Sequence, residues 1–161
     1  MRIPTLIGTA LATASTAIIG SSANRSGAGI WYRTLKKPSY VPPSAVFPVA
    51  WTTLYADIAV TSASAIDRLQ AEGDDAKTRA YIAALGSNLV LNASWSWLFF
   101  ARHKLGVSAV TAALLAASSA DLARRTAQVN PKAGLALTPY PLWCTFATVL
   151  STDIWRLNKL A

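Results

Sequence analysis

Apolar residues gather along the chain into windows of roughly 18 to 22 residues, separated by short clusters of charge. The windows fall at about 3–21, 46–66, 80–101, 105–123 and 134–155. Wound as helices, they match the ~30 Å hydrocarbon core of a bilayer. Period-two alternation is absent, and a backbone in lipid must satisfy its own hydrogen bonds, so helix is the expected spanning form. The pattern predicts an all-α fold, a bundle of five transmembrane helices, with residues 1–161 as a single integral membrane domain. The third and fourth windows are joined by a few residues around Arg102–Lys104 and must be antiparallel neighbours. The first connection, 22–45, is the long one, and long ordered loops in small proteins tend to carry function.

Composition sharpens this picture. Hydrophobic residues make up 53% of the chain and charged residues 14%, against roughly 25% charged in ordinary soluble domains. The net charge of +8 sits on residues that flank the windows, which fits anionic lipid headgroups and not nucleic acid. The lone Cys144 excludes an intramolecular disulfide and a cysteine metal cluster. His103 has no second ligand near it in sequence, and no nucleophile elbow accompanies the many serines, so neither a metal nor a cofactor is expected. Arg2, an apolar run and Ser21-Ser22-Ala23 fit either a secretory signal or a retained first helix. Alternate connections carry seven basic residues on one side and eight on the other, so charge does not set the orientation. The Ala- and Arg-rich composition is compatible with a bacterium of high genomic GC content, and the expected location is the bacterial cell membrane.

Helical spacing then sorts residues onto faces. Gly8, Ala12, Thr16 and Gly20 recur every four residues, as do Ser108, Ala112, Ala116 and Ala120. Such small-residue stripes allow close helix approach, within one bundle or in a homodimer. Asn88, Asn92, Trp95 and Phe99 share one face of the third window, and the two amides require partners away from lipid. Phe47, Trp51 and Tyr55 share a face of the second window. In the fifth, Trp143, Ala147, Leu150 and Ile154 do the same, after a start made irregular by Pro139 and Pro141. Three inward aromatic faces, with a small Ala147 beside Trp143, read as the walls of an apolar cavity. The guest that fits is flat, aromatic and lipophilic, and Arg33, Lys36 and Lys37 can pair with carboxylates on it. Porphyrins with propionate side chains answer that description. Asp57, between Thr53 and Thr61 in the second window, is either a transport residue or a carboxyl bonded between helices.

The segment "WYRTLKKPSYVPPSAVFPVAWTTLY" brings Trp31-Tyr32, Leu35, Lys37-Pro38, Tyr40, Pro42-Pro43, Phe47-Pro48, Trp51-Thr52 and Leu54-Tyr55. Later come Asn92, Trp95, Phe99-Phe100, then Pro139-Tyr140, Trp143, Ala147-Thr148, Leu150, Arg156 and Asn158. Together they resemble the translocator protein family, TspO/MBR, also called the peripheral benzodiazepine receptor, over nearly the whole chain. The resemblance implies a five-helix membrane bundle, often dimeric, with a retained first helix and a pocket beneath the first loop. It implies binding of porphyrins, and in many members of sterols and benzodiazepine-site drugs, for sensing, sequestration or transport. It places Tyr32, Pro42, Trp51, Asn88, Asn92, Trp95, Trp143 and Ala147 on the ligand. It ties Trp51 and Trp143 to light-dependent porphyrin breakdown, the one enzyme-like role in view. Two departures stand out. Trp97 replaces a common Pro, an exchange expected to straighten the helix. No Tyr lies between Leu150 and Arg156, which weakens the sterol motif.

Overall fold

The computed structural model describes residues 1–27 and 29–159; residue 28, inside the expected connection 22–45, lies outside the described residues, as do 160 and 161. The chain folds as α1 (Ile3–Gly27), α2 (Ile30–Thr34), α3 (Val46–Ala71), α4 (Asp75–Ser96), α5 (Leu105–Val129), α6 (Pro131–Ala136) and α7 (Pro139–Asn158). There is no strand among the described residues. By length and hydropathy, Ile3–Arg25, Leu105–Val129 and Pro131–Asn158 are each able to cross a membrane. α3 and α4, of 26 and 22 residues, are of similar length.

The helices outrun the apolar windows because charge at an interface does not stop a helix. α3 continues through Asp67 and Arg68, α4 begins at Asp75, and α5 continues through Arg124 and Arg125. What stops them is local chemistry. Gly73, at φ 72°, turns the chain after α3, and the Asp74 carboxylate accepts the Lys77 amide at 2.9 Å to start α4. The fifth window divides in two. Asn130 caps α6 with Pro131 behind it, and Pro139 begins α7, where a missing N–H leaves nothing unpaired. The long connection is not all loop, since α2 occupies its centre.

Trp97 does not straighten α4. Residues Trp97–Ala101 form a π-helical turn closed by the Arg102 amide on the Trp97 carbonyl at 2.9 Å. The extra residue in that turn lets both Phe99 and Phe100 face the interior. His103, at φ 54°, and Lys104 then reverse the chain into α5.

α1 lies against α3 and α4, and α5 packs most extensively on α7. The small-residue stripes meet these contacts only in part. Four-residue steps drift around a helix, so Gly8 and Ala12 are exposed while Thr16 is buried and Gly20 meets the Ser96 hydroxyl. Along α1 the buried positions run Thr9, Thr13, Thr16 and Ala23. One core cluster holds Leu54, Ile58, Leu85, Leu115, Leu122 and Tyr140. A second gathers Phe99, Leu150 and Ile154 with Trp31, Tyr32, Phe47 and Trp95. Outside, Leu11, Ile18, Val90, Val110 and Leu142 are more than half exposed, an apolar surface that suits lipid and not water.

Candidate functional site

Between the two clusters lies a cavity of about 630 Å³. Its walls come from α1, α2, α3, α4 with its π-turn, and α7. Trp51 and Tyr55 of α3 tilt against each other at 5.7 Å between ring centroids. Trp143 of α7 meets Trp51 edge-on at 6.5 Å. Trp95 stacks on Phe99 at 5.6 Å. Ala147 and Phe146 complete the α7 wall, and Tyr32 reaches in from α2. Two indole N–H groups, those of Trp95 and Trp143, are buried without an acceptor among the described residues.

The floor is a chain of hydrogen bonds that all run one way. The Tyr55 hydroxyl donates to the Asn92 carbonyl oxygen at 2.8 Å. The Asn92 amide donates to the Tyr140 hydroxyl at 3.2 Å, and that hydroxyl donates to Asn88 at 2.7 Å. Asn88 then donates to Ser118 at 3.1 Å. Four helices are joined, and each hydroxyl or amide polarises the next. The chain accounts for two asparagines in an apolar bundle.

The roof is the first connection, tied down at several points. The Asn158 side chain accepts the Lys36 amide at 3.0 Å and donates to the Lys36 carbonyl at 2.9 Å. The Tyr40 hydroxyl donates to the Asp153 carboxylate at 2.5 Å. That bond holds the Tyr40 phenol above its ordinary pKa, and burial does the same for Tyr32. Trp31 stacks on His103 at 3.8 Å, and the Lys37 ammonium lies 4.6 Å above the Tyr32 ring. Arg33, Lys36 and Lys37 form no ion pair among the described residues, leaving cationic groups beside the roof.

Of the residues expected on the ligand, Tyr32, Trp51, Asn92, Trp95, Trp143 and Ala147 line the cavity together. Asn88 lies one turn below, fully buried in the floor chain. Pro42 is half-buried in the connection and is not part of the wall. Asp57 is half-buried on α3, away from the cavity, and its carboxylate has no partner among the described residues. Asp121 pairs with Arg124 and Arg125 along one helix. The α1 wall (Ala17, Ile18, Gly20, Ser21 and Asn24) escaped sequence reasoning, because that stripe reads equally well as helix packing. Tyr140 and Asn158 carry no periodic signal of their own.

The TspO/MBR family model matches residues 8–156. Protein CrtK of Rhodobacter capsulatus is 36% identical over 130 residues, covering 81% of this chain and 79% of that protein. The Translocator protein of Sus scrofa is 34% identical over 140 residues, covering 86% and 82%. The Tryptophan-rich sensory protein of Cereibacter sphaeroides is 32% identical over 128 residues, covering 80% and 77%. A match of this extent, over the helices that build the cavity, makes the chain a member of the TspO/MBR family.

Proposed function

We propose that the chain is a five-span membrane protein whose cavity binds porphyrins and other flat lipophilic molecules, for sensing, sequestration or transport. The observation that carries this reading is the cavity itself, apolar, ring-lined and about 630 Å³. That size lies within the roughly 300–1,000 Å³ of small-molecule sites. Indole and phenyl faces of the wall stack on a planar guest. Arg33, Lys36 and Lys37 beside the roof favour a guest with carboxylates at that end. The names of relatives, Translocator protein and Tryptophan-rich sensory protein, are compatible with binding linked to sensing or transfer. α3 and α4 supply the two spans beyond the three most apolar stretches.

The test is quenching of tryptophan fluorescence by protoporphyrin IX in detergent, in the dark. Saturable quenching at micromolar ligand is expected for wild type, and weaker binding for Ala147→Phe, which fills the space beside Trp143. Linear, unsaturable quenching would refute the site. One observation favours a second reading, light-dependent porphyrin breakdown. Trp51 and Trp143, two oxidisable rings, touch across the cavity at 6.5 Å. Under that reading Trp51→Phe and Trp143→Phe retain dark binding and lose the light-dependent fall in porphyrin absorbance.

A further inference from the structure

We infer that ligands reach the cavity sideways from the hydrocarbon phase, through a slit between α1 and the first turns of α3. The inference rests on the reading of the cavity as a ligand site, and adds the route and the physical form of the guest.

The wall is unevenly exposed. Its exposed residues are Ile18, Ser21 and Asn24 on α1, and Ser44, Pro48 and Thr52 at the start of α3. Every wall residue from α2, α4, the π-turn and α7 is buried or half-buried. The opening therefore lies between two helices and not through the roof. The way α1 is held explains the slit. At one end it is fastened to α3, where the Thr9 hydroxyl donates to the Ala59 carbonyl at 2.8 Å and Arg2 pairs with Asp67. At the other end it leans on α4 instead. There the Trp97 indole donates to the Ile19 carbonyl at 3.2 Å, and a Cβ on Gly20 would stand 3.1 Å from the Ser96 hydroxyl. α1 and α3 thus part towards the first connection. Among the described residues no hydrogen bond joins Ile18, Ser21 or Asn24 to Ser44, Pro48 or Thr52. The roof, by contrast, is bound to α7 through Asn158 and Asp153 and to the α4–α5 turn through His103.

The surface around the slit identifies the phase it opens to. Ile18, on the α1 side of the slit, has 69% of its surface exposed, and Val49, next to Pro48 in α3, has 68%. Branched aliphatic side chains at a mouth favour hydrocarbon over water. The lips inside that rim are short and polar, with Ser21, Asn24, Ser44 and Thr52, so a polar edge can slide past them. The guest is then an amphiphile already dissolved in the bilayer, with an apolar planar body and its acidic edge held towards the cationic connection.

The route makes a kinetic prediction. A bulkier lip raises the barrier to entrance, so kon falls. In proteoliposomes, stopped-flow quenching by protoporphyrin IX should show Ser21→Phe and Thr52→Phe lowering kon by about tenfold, whatever these wall residues add to or take from Kd. Asn158→Ala, which unties the roof, should leave kon unchanged. A second measurement uses wild type alone, with a porphyrin tethered to a phospholipid acyl chain so that it cannot leave the bilayer; saturable quenching by this probe is expected. If free porphyrin binds but the tethered one does not, or if kon ignores the lip variants and rises in Asn158→Ala, the lateral route is overturned and the site stands. If free porphyrin itself shows no saturable binding to wild type, the ligand site falls and the route with it.

Discussion

Tyr140 accepts one hydrogen bond and donates another within the cavity floor, so Tyr140→Phe leaves one buried atom of each of two amides unpaired, the Asn92 N–H group and the Asn88 carbonyl oxygen. The ring is retained and the cavity wall is untouched, which isolates the polar term. An expected loss of about 1–3 kcal/mol follows from unpaired buried groups, tempered by the modest hydrogen-bond energies measured in membrane proteins. Unfolding of the variant in mixed micelles checks it, and unchanged stability would mean that the floor chain is not formed. At the roof, Asn158 holds the Lys36 backbone by two bonds, and Asn158→Ala frees both. The connection then opens more often, and trypsin should cut after Arg33 and Lys36 about tenfold faster at equal global stability. Tyr40 adds a pH dependence. Its folded pKa is raised by the bond to Asp153, so its contribution is complete below the ordinary value of 10.0 and fades as pH climbs through the raised one. Ultraviolet titration of wild type beside Asp153→Asn should show one tyrosine's share of the absorbance change moving to lower pH in the variant. Sequence reading reached the correct face for Asn88 but not its depth. Helical period fixes azimuth, whereas how far a cavity reaches down a helix is set by neighbours such as Tyr140 on another helix.

Among the elements, the all-helical class and the three stretches most able to cross a membrane were legible because their apolar windows are long. Their ends were not, because a window stops at its first charge while the hydrogen-bonded backbone runs on to the next cap or glycine. The short α6 was hidden for a related reason. Its residues are as apolar as those of α7, and only Asn130, Pro131 and Pro139 mark the break. α6 nevertheless packs closely on α5. A Cβ at Gly134 would lie 2.3 Å from the Ala127 Cβ and 2.4 Å from its Cα. Backbone cannot yield as a side-chain tip does, so Gly134→Ala should destabilise by about 1–3 kcal/mol or more. Gly8 is the matched control, since nothing lies within 4 Å of its added Cβ and Gly8→Ala should be neutral or slightly stabilising. A thermal-shift comparison of the two variants in one detergent checks the contact; equal midpoints would mean that α6 does not sit on Ala127.

The molecule as a whole joins an apolar exterior to a ring-lined interior, with its charged groups gathered at the roof and the helix ends. Asp57 breaks that order. It lies midway along α3, half-buried, without a partner among the described residues and outside the cavity wall. On the proposed five-span arrangement, a carboxyl at the centre of a span costs about 2.5–3.5 kcal/mol on insertion scales, a cost the pairs at the helix ends, such as Arg2–Asp67, do not carry. If Asp57 has no task, Asp57→Leu should stabilise the protein in bilayers, by less than that figure because the group is partly solvated, and leave porphyrin binding unchanged. If Asp57 serves transport, Asp57→Asn should abolish porphyrin flux across liposomes while dark quenching stays saturable at the same Kd. The distance of Asp57 from the cavity makes binding the control in both cases, so flux alone separates them. Its lack of any partner favours the first outcome, because a carboxyl that hands on a charged or protonated guest needs a second group within reach.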